Sequence, residues 1–265
     1  TNTLGVGAAL DGAVRWTLAQ AGNDTVRWVN ALVGETNDGR LNDIRSQPVR
    51  PEHAIAAIER AAGGAVPEGN VGAGTGTVAF GWKGGIGTSS RRLPSEAGGY
   101  TLGVLVQANF GGVLTIDGVP VGKALGRHPF VARAATAPGP TPHDADGSCL
   151  IVVATDAPLD ARDLKRLAAR AVFALARTGS SYSNGSGDYA VAFSTAPSLR
   201  VAHGASTPTP RTLLPTDGLS PLFQAVLEAT EEAVYNALFQ AETMSGNGAT
   251  VDALPLDRVR ELLRR

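Results

Sequence analysis

Residues 147–159 read Gly-Ser-Cys-Leu-Ile-Val-Val-Ala-Thr-Asp-Ala-Pro-Leu, which sets a serine between a stretch of loop composition and an apolar run. A hydroxyl in that place can attack the carbonyl of the residue before it, and Gly147 has no side chain to obstruct the approach. The resulting ester is open to water, and its hydrolysis leaves Ser148 as a new N-terminus. An α-amine titrates near pH ~8, so a single residue would then hold both a nucleophile and a proton acceptor at neutral pH. A Gly-Ser pair at a loop end also suits an ordinary turn, so the choice rests on what surrounds it.

Other chemistries find no purchase. The glycine-dense segment 69–87 contains neither a Gly-x-x-x-x-Gly-Lys-[Ser/Thr] nor a Gly-x-Gly-x-x-Gly pattern, because Lys83 stands between Trp82 and Gly84. Cys149 is the only cysteine, which excludes an internal disulfide and a cysteine metal cluster. His53, His128, His143 and His203 lack metal-ligand spacing, and no Gly-x-Ser-x-Gly elbow occurs. No metal and no organic cofactor is expected.

The serine needs elements to hold it. Residues 149–154 read as a strand buried on both faces. A helix from about residue 160 follows, with Leu164, Leu167, Ala168, Ala171, Val172 and Leu175 on one face and Gly179 at its end. Further helices are expected over 8–21, with Leu10, Val14 and Leu18 at helical spacing, and over 51–62, with Pro51 and Glu52 in the first turn. Ser220-Pro221 opens another, and a shorter helix ends the chain. Strands are expected at 26–33, 77–82, 100–109, 113–116 and 189–193. Residues 134–146, with Pro138, Pro140 and Pro142, read as a mobile loop.

With 43% apolar and 18% charged residues and no linker-like stretch, the 265 residues suit one α/β domain over 1–265. The formal net charge is −1 and the basic residues are scattered, which argues against a nucleic-acid partner. No apolar run reaches the roughly 18 residues of a membrane span. The lone cysteine fits a cytoplasmic location.

Several segments carry a resemblance in the same order: Gly69-Asn70-Val71-Gly72, Gly84-Gly85-Ile86-Gly87-Thr88, Gly103-Val104-Leu105-Val106-Gln107-Ala108-Asn109, the run from Gly147, and Asn184-Gly185-Ser186-Gly187-Asp188 through Phe193-Ser194-Thr195. Together they resemble the L-aminopeptidase/D-esterase family, which includes the β-aminopeptidases. The resemblance implies a four-layer αββα sandwich of the N-terminal-nucleophile hydrolase type. It implies self-processing between Gly147 and Ser148 into 1–147 and 148–265. Ser148 matches the family's nucleophile and Asn109 an oxyanion-hole amide. Ser186 and Asp188 match a Ser-Gly-acid element that could relay a proton or hold the substrate's ammonium group. The Ser148 amine is the first choice of general base, with the others left open.

Asn37 stands where the family often has an aromatic residue such as Tyr, and is expected at the substrate. The implied reaction removes N-terminal residues from short peptides, amides or esters, including β-amino substrates, through an acyl-Ser148 ester. A homo-oligomer, a tetramer of processed protomers, is expected, as is a segment upstream of Thr1. The alternatives are an ornithine acetyltransferase-like acyltransferase and an inactive binding protein on the same scaffold.

Overall fold

A computed structural model describes residues 1–129 and 147–264, so the loop expected over 134–146 lies outside the described residues. In chain order the elements are α1 (Val6–Leu18), α2 (Pro51–Glu59), β1 (Val78–Ala79), β2 (Trp82–Lys83), β3 (Gly85–Arg92), β4 (Thr101–Asn109) and the single turn α3 (Val121–Ala124). Then come β5 (Ser148–Thr155), α4 (Ala161–Arg177), β6 (Gly187–Ser194), α5 (Ser220–Phe239), β7 (Met244–Gly246), β8 (Ala249–Val251) and α6 (Leu256–Leu263).

The main sheet has the order β3-β4-β5-β6, antiparallel except for the parallel pair β5–β6. Side chains alternate between its faces. Leu102, Val104, Val106 and Ala108 of β4 and Cys149, Ile151 and Val153 of β5 turn toward α4 and α5 and are buried. This is the core. α4 begins where the Asp160 carboxylate accepts the Asp163 N–H at 2.9 Å, an N-cap that satisfies a helix-end donor. Its Leu167, Ala171, Ala174 and Leu175 are fully buried. Helix α5 is buried along most of its length through Leu222, Val226, Val234 and Leu238 and the alanines between them.

The opposite face carries Leu105, Gln107, Leu150, Val152, Tyr189 and Phe193. The N-terminal residues cover part of it, as the Gln107 amide donates to Thr36 Oγ1 at 2.6 Å and to the Thr1 carbonyl at 3.1 Å. Tyr189 and Phe193 remain 54% and 45% exposed. The α/β class is as expected. Of the layers implied by an αββα sandwich, the described residues show the four-stranded sheet with helices on one face, and otherwise two two-stranded ribbons, β1–β2 and β7–β8. No helix among the described residues is long and apolar enough to cross a membrane.

Four expectations need correction. Residues 26–33 form no strand, because no strand among the described residues pairs with their backbone, and Trp28 and Leu32 project outward. Residues 113–116 form none either. The Val113 and Thr115 N–H groups go to the Gly179 and Thr178 carbonyls and that of Ile116 to the Val119 carbonyl, as isolated contacts. Segment 77–82 splits into β1 and β2 around a turn in which Phe80 and Gly81 have φ of 53° and 81°. In α1 the expected apolar face is not the buried one: Leu10 and Leu18 are exposed, while small Ala9 and Gly12 pack inward against the start of α2.

Strand β3, rich in glycine and serine, has little intrinsic strand preference. Helix α5 explains its composition. A Cβ on Gly87 would lie 1.9 Å from the Ala233 carbonyl oxygen and 2.5 Å from the Ala237 nitrogen, so only glycine admits this approach of sheet and helix backbones. Gly87→Ala is expected to force the two apart and cost about 1–3 kcal/mol, as overpacking does. A shift in the denaturant midpoint at unchanged slope measures it.

Candidate active site

Strand register brings the site together. Asn109, the last residue of β4, is the direct partner of Ser148, the first of β5, and Ser148 is in turn the partner of Gly187, the first of β6. Partners in register present their side chains on one face, so a hydroxyl and an amide stand side by side at one end of the sheet. Both are largely buried, at 7% and 6% exposure. They line a cavity of about 490 Å³ whose wall also includes Thr3, Glu35, Asn37, Arg40, Val78, Gly147, Gly185, Gly187 and Tyr189.

The Asn109 amide has a defined orientation. Its Oδ1 accepts the Val78 N–H at 2.9 Å, which leaves Nδ2 as the donor side, and Nδ2 donates to the Asn37 carbonyl at 3.0 Å. An amide nitrogen has a second hydrogen for an incoming oxyanion. Asn37 lines the cavity as expected, although it meets Asn109 through its backbone. Its side-chain Oδ1 accepts the Gly39 N–H at 2.9 Å, a local turn contact.

Ser186 and Asp188 are paired, with Ser186 Oγ donating to Asp188 at 3.1 Å. The Cys149 backbone N–H donates to the same carboxylate. Burial pushes the Asp188 carboxyl above the usual carboxylate range, against the pull of these two donors. Neither residue is part of the cavity wall, which is formed on this side by Gly185, Gly187 and Tyr189. Asp188 is the register partner of Cys149, so it belongs to the helix-facing side of β6. Cys149 adjoins Ser148 but is itself inert: burial, followed by the Asp188 charge, pushes its thiol well up, so it stays protonated.

The sequence profile of peptidase family S58 matches residues 1–251. The chain belongs to peptidase family S58. It is 45% identical over its whole length to a β-peptidyl aminopeptidase BapA of Sphingosinicella microcystinivorans, spanning 68% of that protein, and 40% identical to the BapA of Sphingosinicella xenopeptidilytica, spanning 67%. Among solved structures, a Burkholderia sp. β-aminopeptidase superposes with a TM-score of 0.85 at 39% identity, covering 100% of this chain and 72% of the other. The L-aminopeptidase D-Ala-esterase/amidase of Ochrobactrum anthropi, described as a serine aminopeptidase and a variant of the N-terminal-nucleophile hydrolase fold, gives 0.86 at 37% identity over 99% and 71%. The S58 chain is therefore an N-terminal-nucleophile-type serine hydrolase with aminopeptidase/amidase activity. These likenesses give no support to the acyltransferase or to the inactive binding protein.

Three charged residues were not singled out in the sequence: Glu35 and Arg40 in the cavity wall, and the buried Lys83. Glu35 puts a carboxylate in the cavity wall, where Thr3 Oγ1 donates to it. It sits on a segment without periodicity, and its only signal was adjacency to Asn37. Lys83, fully buried, donates from Nζ to the Gly74 carbonyl at 2.8 Å and the Gly84 carbonyl at 2.7 Å. It thereby ties the glycine-rich hairpin that presents Val78 to Asn109.

Burial lowers the Lys83 ammonium from 10.5 to about 8. Between those two pH values the unfolded chain binds the extra proton, so stability rises with pH across that window, by an amount of the order of 3 kcal/mol. Comparison of Lys83→Met with the parent by chemical denaturation from pH 7.5 to 10.5 should show this rise in the parent and its absence in the variant.

Proposed function

We propose that the chain cleaves itself between Gly147 and Ser148, giving 1–147 and 148–265, and that Ser148 then releases N-terminal residues from short peptides, amides or esters. The observation that carries this reading is the Asn109–Ser148 pairing at the cavity, with the amide held donor-side by Val78. In the hydrolytic step Ser148 Oγ attacks the substrate carbonyl and its proton passes to the residue's own α-amine. The Asn109 Nδ2 group donates to the oxygen that gains charge, a contribution whose loss in comparable sites costs about 3 kcal/mol. The leaving amine takes the proton, and water resolves the acyl-Ser148 ester. The Ser186–Asp188 pair, beside the start of β5 and outside the wall, orients this end of the sheet and tunes its proton balance.

A substrate with a free amine enters as an ammonium ion. Glu35 is its partner in the wall, a role the sequence reading had offered to Asp188. The kinship to a β-peptidyl aminopeptidase and a β-aminopeptidase favours β-amino residues among the substrates. By the same family resemblance the working form is a homo-oligomer, a tetramer of processed protomers, and the lone buried cysteine suits a cytoplasmic setting.

Ser148→Ala tests the core of this reading. Intact mass under denaturing conditions should show the parent as two pieces and the variant as one chain, with no turnover of an amino-acid p-nitroanilide by the variant. A parent that stays whole while hydrolysing amides would defeat the mechanism. Glu35→Gln should raise KM by about 10-fold or more, the worth of a hydrogen bond to a charged group, with a smaller change in kcat. An unchanged KM would place the ammonium group elsewhere.

A further inference from the structure

The Gly187 N–H donates to the Gly147 carbonyl oxygen at 2.9 Å. In the parallel register of β5 and β6 this is the first rung of the ladder. Its acceptor is also the carbonyl that Ser148 has to attack. We propose that the Gly187 N–H is the catalytic donor of self-processing, distinct from Asn109, which serves substrate hydrolysis. The assignment rests on the cleavage reading above and adds the group that makes cleavage fast.

Geometry and bond chemistry both support it. The donor is in place before any charge develops, and it is held by the strand that follows it, so no reorganisation is required as the carbonyl becomes an oxyanion. A hydrogen bond to a neutral carbonyl strengthens when that oxygen acquires charge. Ser148 is also flanked by two separate donors, with Asn109 from β4 on one side and Gly187 from β6 on the other. The Asn109 amide is positioned by Val78 and Asn37, whereas the Gly187 N–H is already bonded to the carbonyl oxygen of the scissile peptide. The Gly147 peptide itself is pressed against the backbone of its β4 neighbour, since a Cβ on Gly147 would lie 2.1 Å from the Asn109 carbonyl oxygen.

The step balances without any co-reactant except water. Ser148 Oγ bonds to the Gly147 carbonyl carbon, and the carbonyl oxygen carries the charge while held by Gly187. The Gly147–Ser148 C–N bond then breaks, and the nitrogen takes up one proton for the one lost by Oγ. Water adds to the ester, the same oxygen is charged a second time against the same donor, and Gly147 carboxylate and Ser148 hydroxyl are released.

Gly187→Pro removes the N–H, and proline is tolerated at a strand's first residue. Gly187→Ala keeps it, with a Cβ that meets the Tyr189 hydroxyl, the far end of a side chain, at 3.1 Å. Time-resolved intact mass after purification should show the proline variant cleaving at least about 100-fold more slowly than the alanine variant, while far-UV circular dichroism and cooperative unfolding report both as folded. Equal rates in two folded variants would overturn the assignment. If the proline variant fails to fold, a semisynthetic chain with the Gly187 amide replaced by an ester is read by the same ratio against the all-amide chain. A parent chain that never cleaves would remove the cleavage reading and the donor's role together, whereas a cleaving parent with equal variant rates removes the donor's role alone.

Discussion

The register of β4, β5 and β6 is the constraint from which the site follows. Because Asn109, Ser148 and Gly187 are successive partners across three strands, an amide, a hydroxyl and a backbone N–H meet at one end of the sheet. A shift of one residue in either ladder would turn every side chain of a strand to the other face. Leu102, Val104 and Val106 would leave the core as Asn109 left the cavity, so the burial that stabilises the fold also enforces the geometry of the site.

Close backbone approach is the second requirement. Gly87 lets α5 lie against β3, and the hairpin of β1 and β2 brings the Val78 N–H to Asn109. Lys83 is the unusual partner in this arrangement. Its ammonium group is buried against two carbonyl oxygens, which gives the glycine-rich segment a fixed point that side-chain packing among glycines could not supply.

Much of this was legible from residue patterns. The apolar run after Ser148, the Asp160-capped amphipathic α4 and the proline-led α5 follow from local patterns and formed where expected, although Ser220 is the first helical residue of α5 and not the cap it was expected to be. Strand-to-strand pairing is non-local, so the segment 26–33 could look like a strand and yet find no neighbour, and β3 could look unlike one and still be built by α5. The orientation of Asp188 was within reach of the sequence. If Gly187 faces the cavity, the two-residue alternation turns Asp188 away. Glu35 was not within reach, since an acid on an irregular segment carries no periodic signal. Lys83 ran against the expectation that a lysine is exposed.

The ladder between β4 and β5 joins residues on opposite sides of the 147–148 bond, through eight register pairs from Leu102–Thr155 to Asn109–Ser148. With the proposed cut made, two separate polypeptides would share one sheet and one core, and the processed protomer would be a heterodimer by topology. Its denaturation would release two molecules instead of one, so its melting temperature would depend on protein concentration. Renaturation would then require a bimolecular encounter that the uncut chain never faces, so the proposed scission makes thermodynamic sense only after folding, as a unimolecular process, is complete.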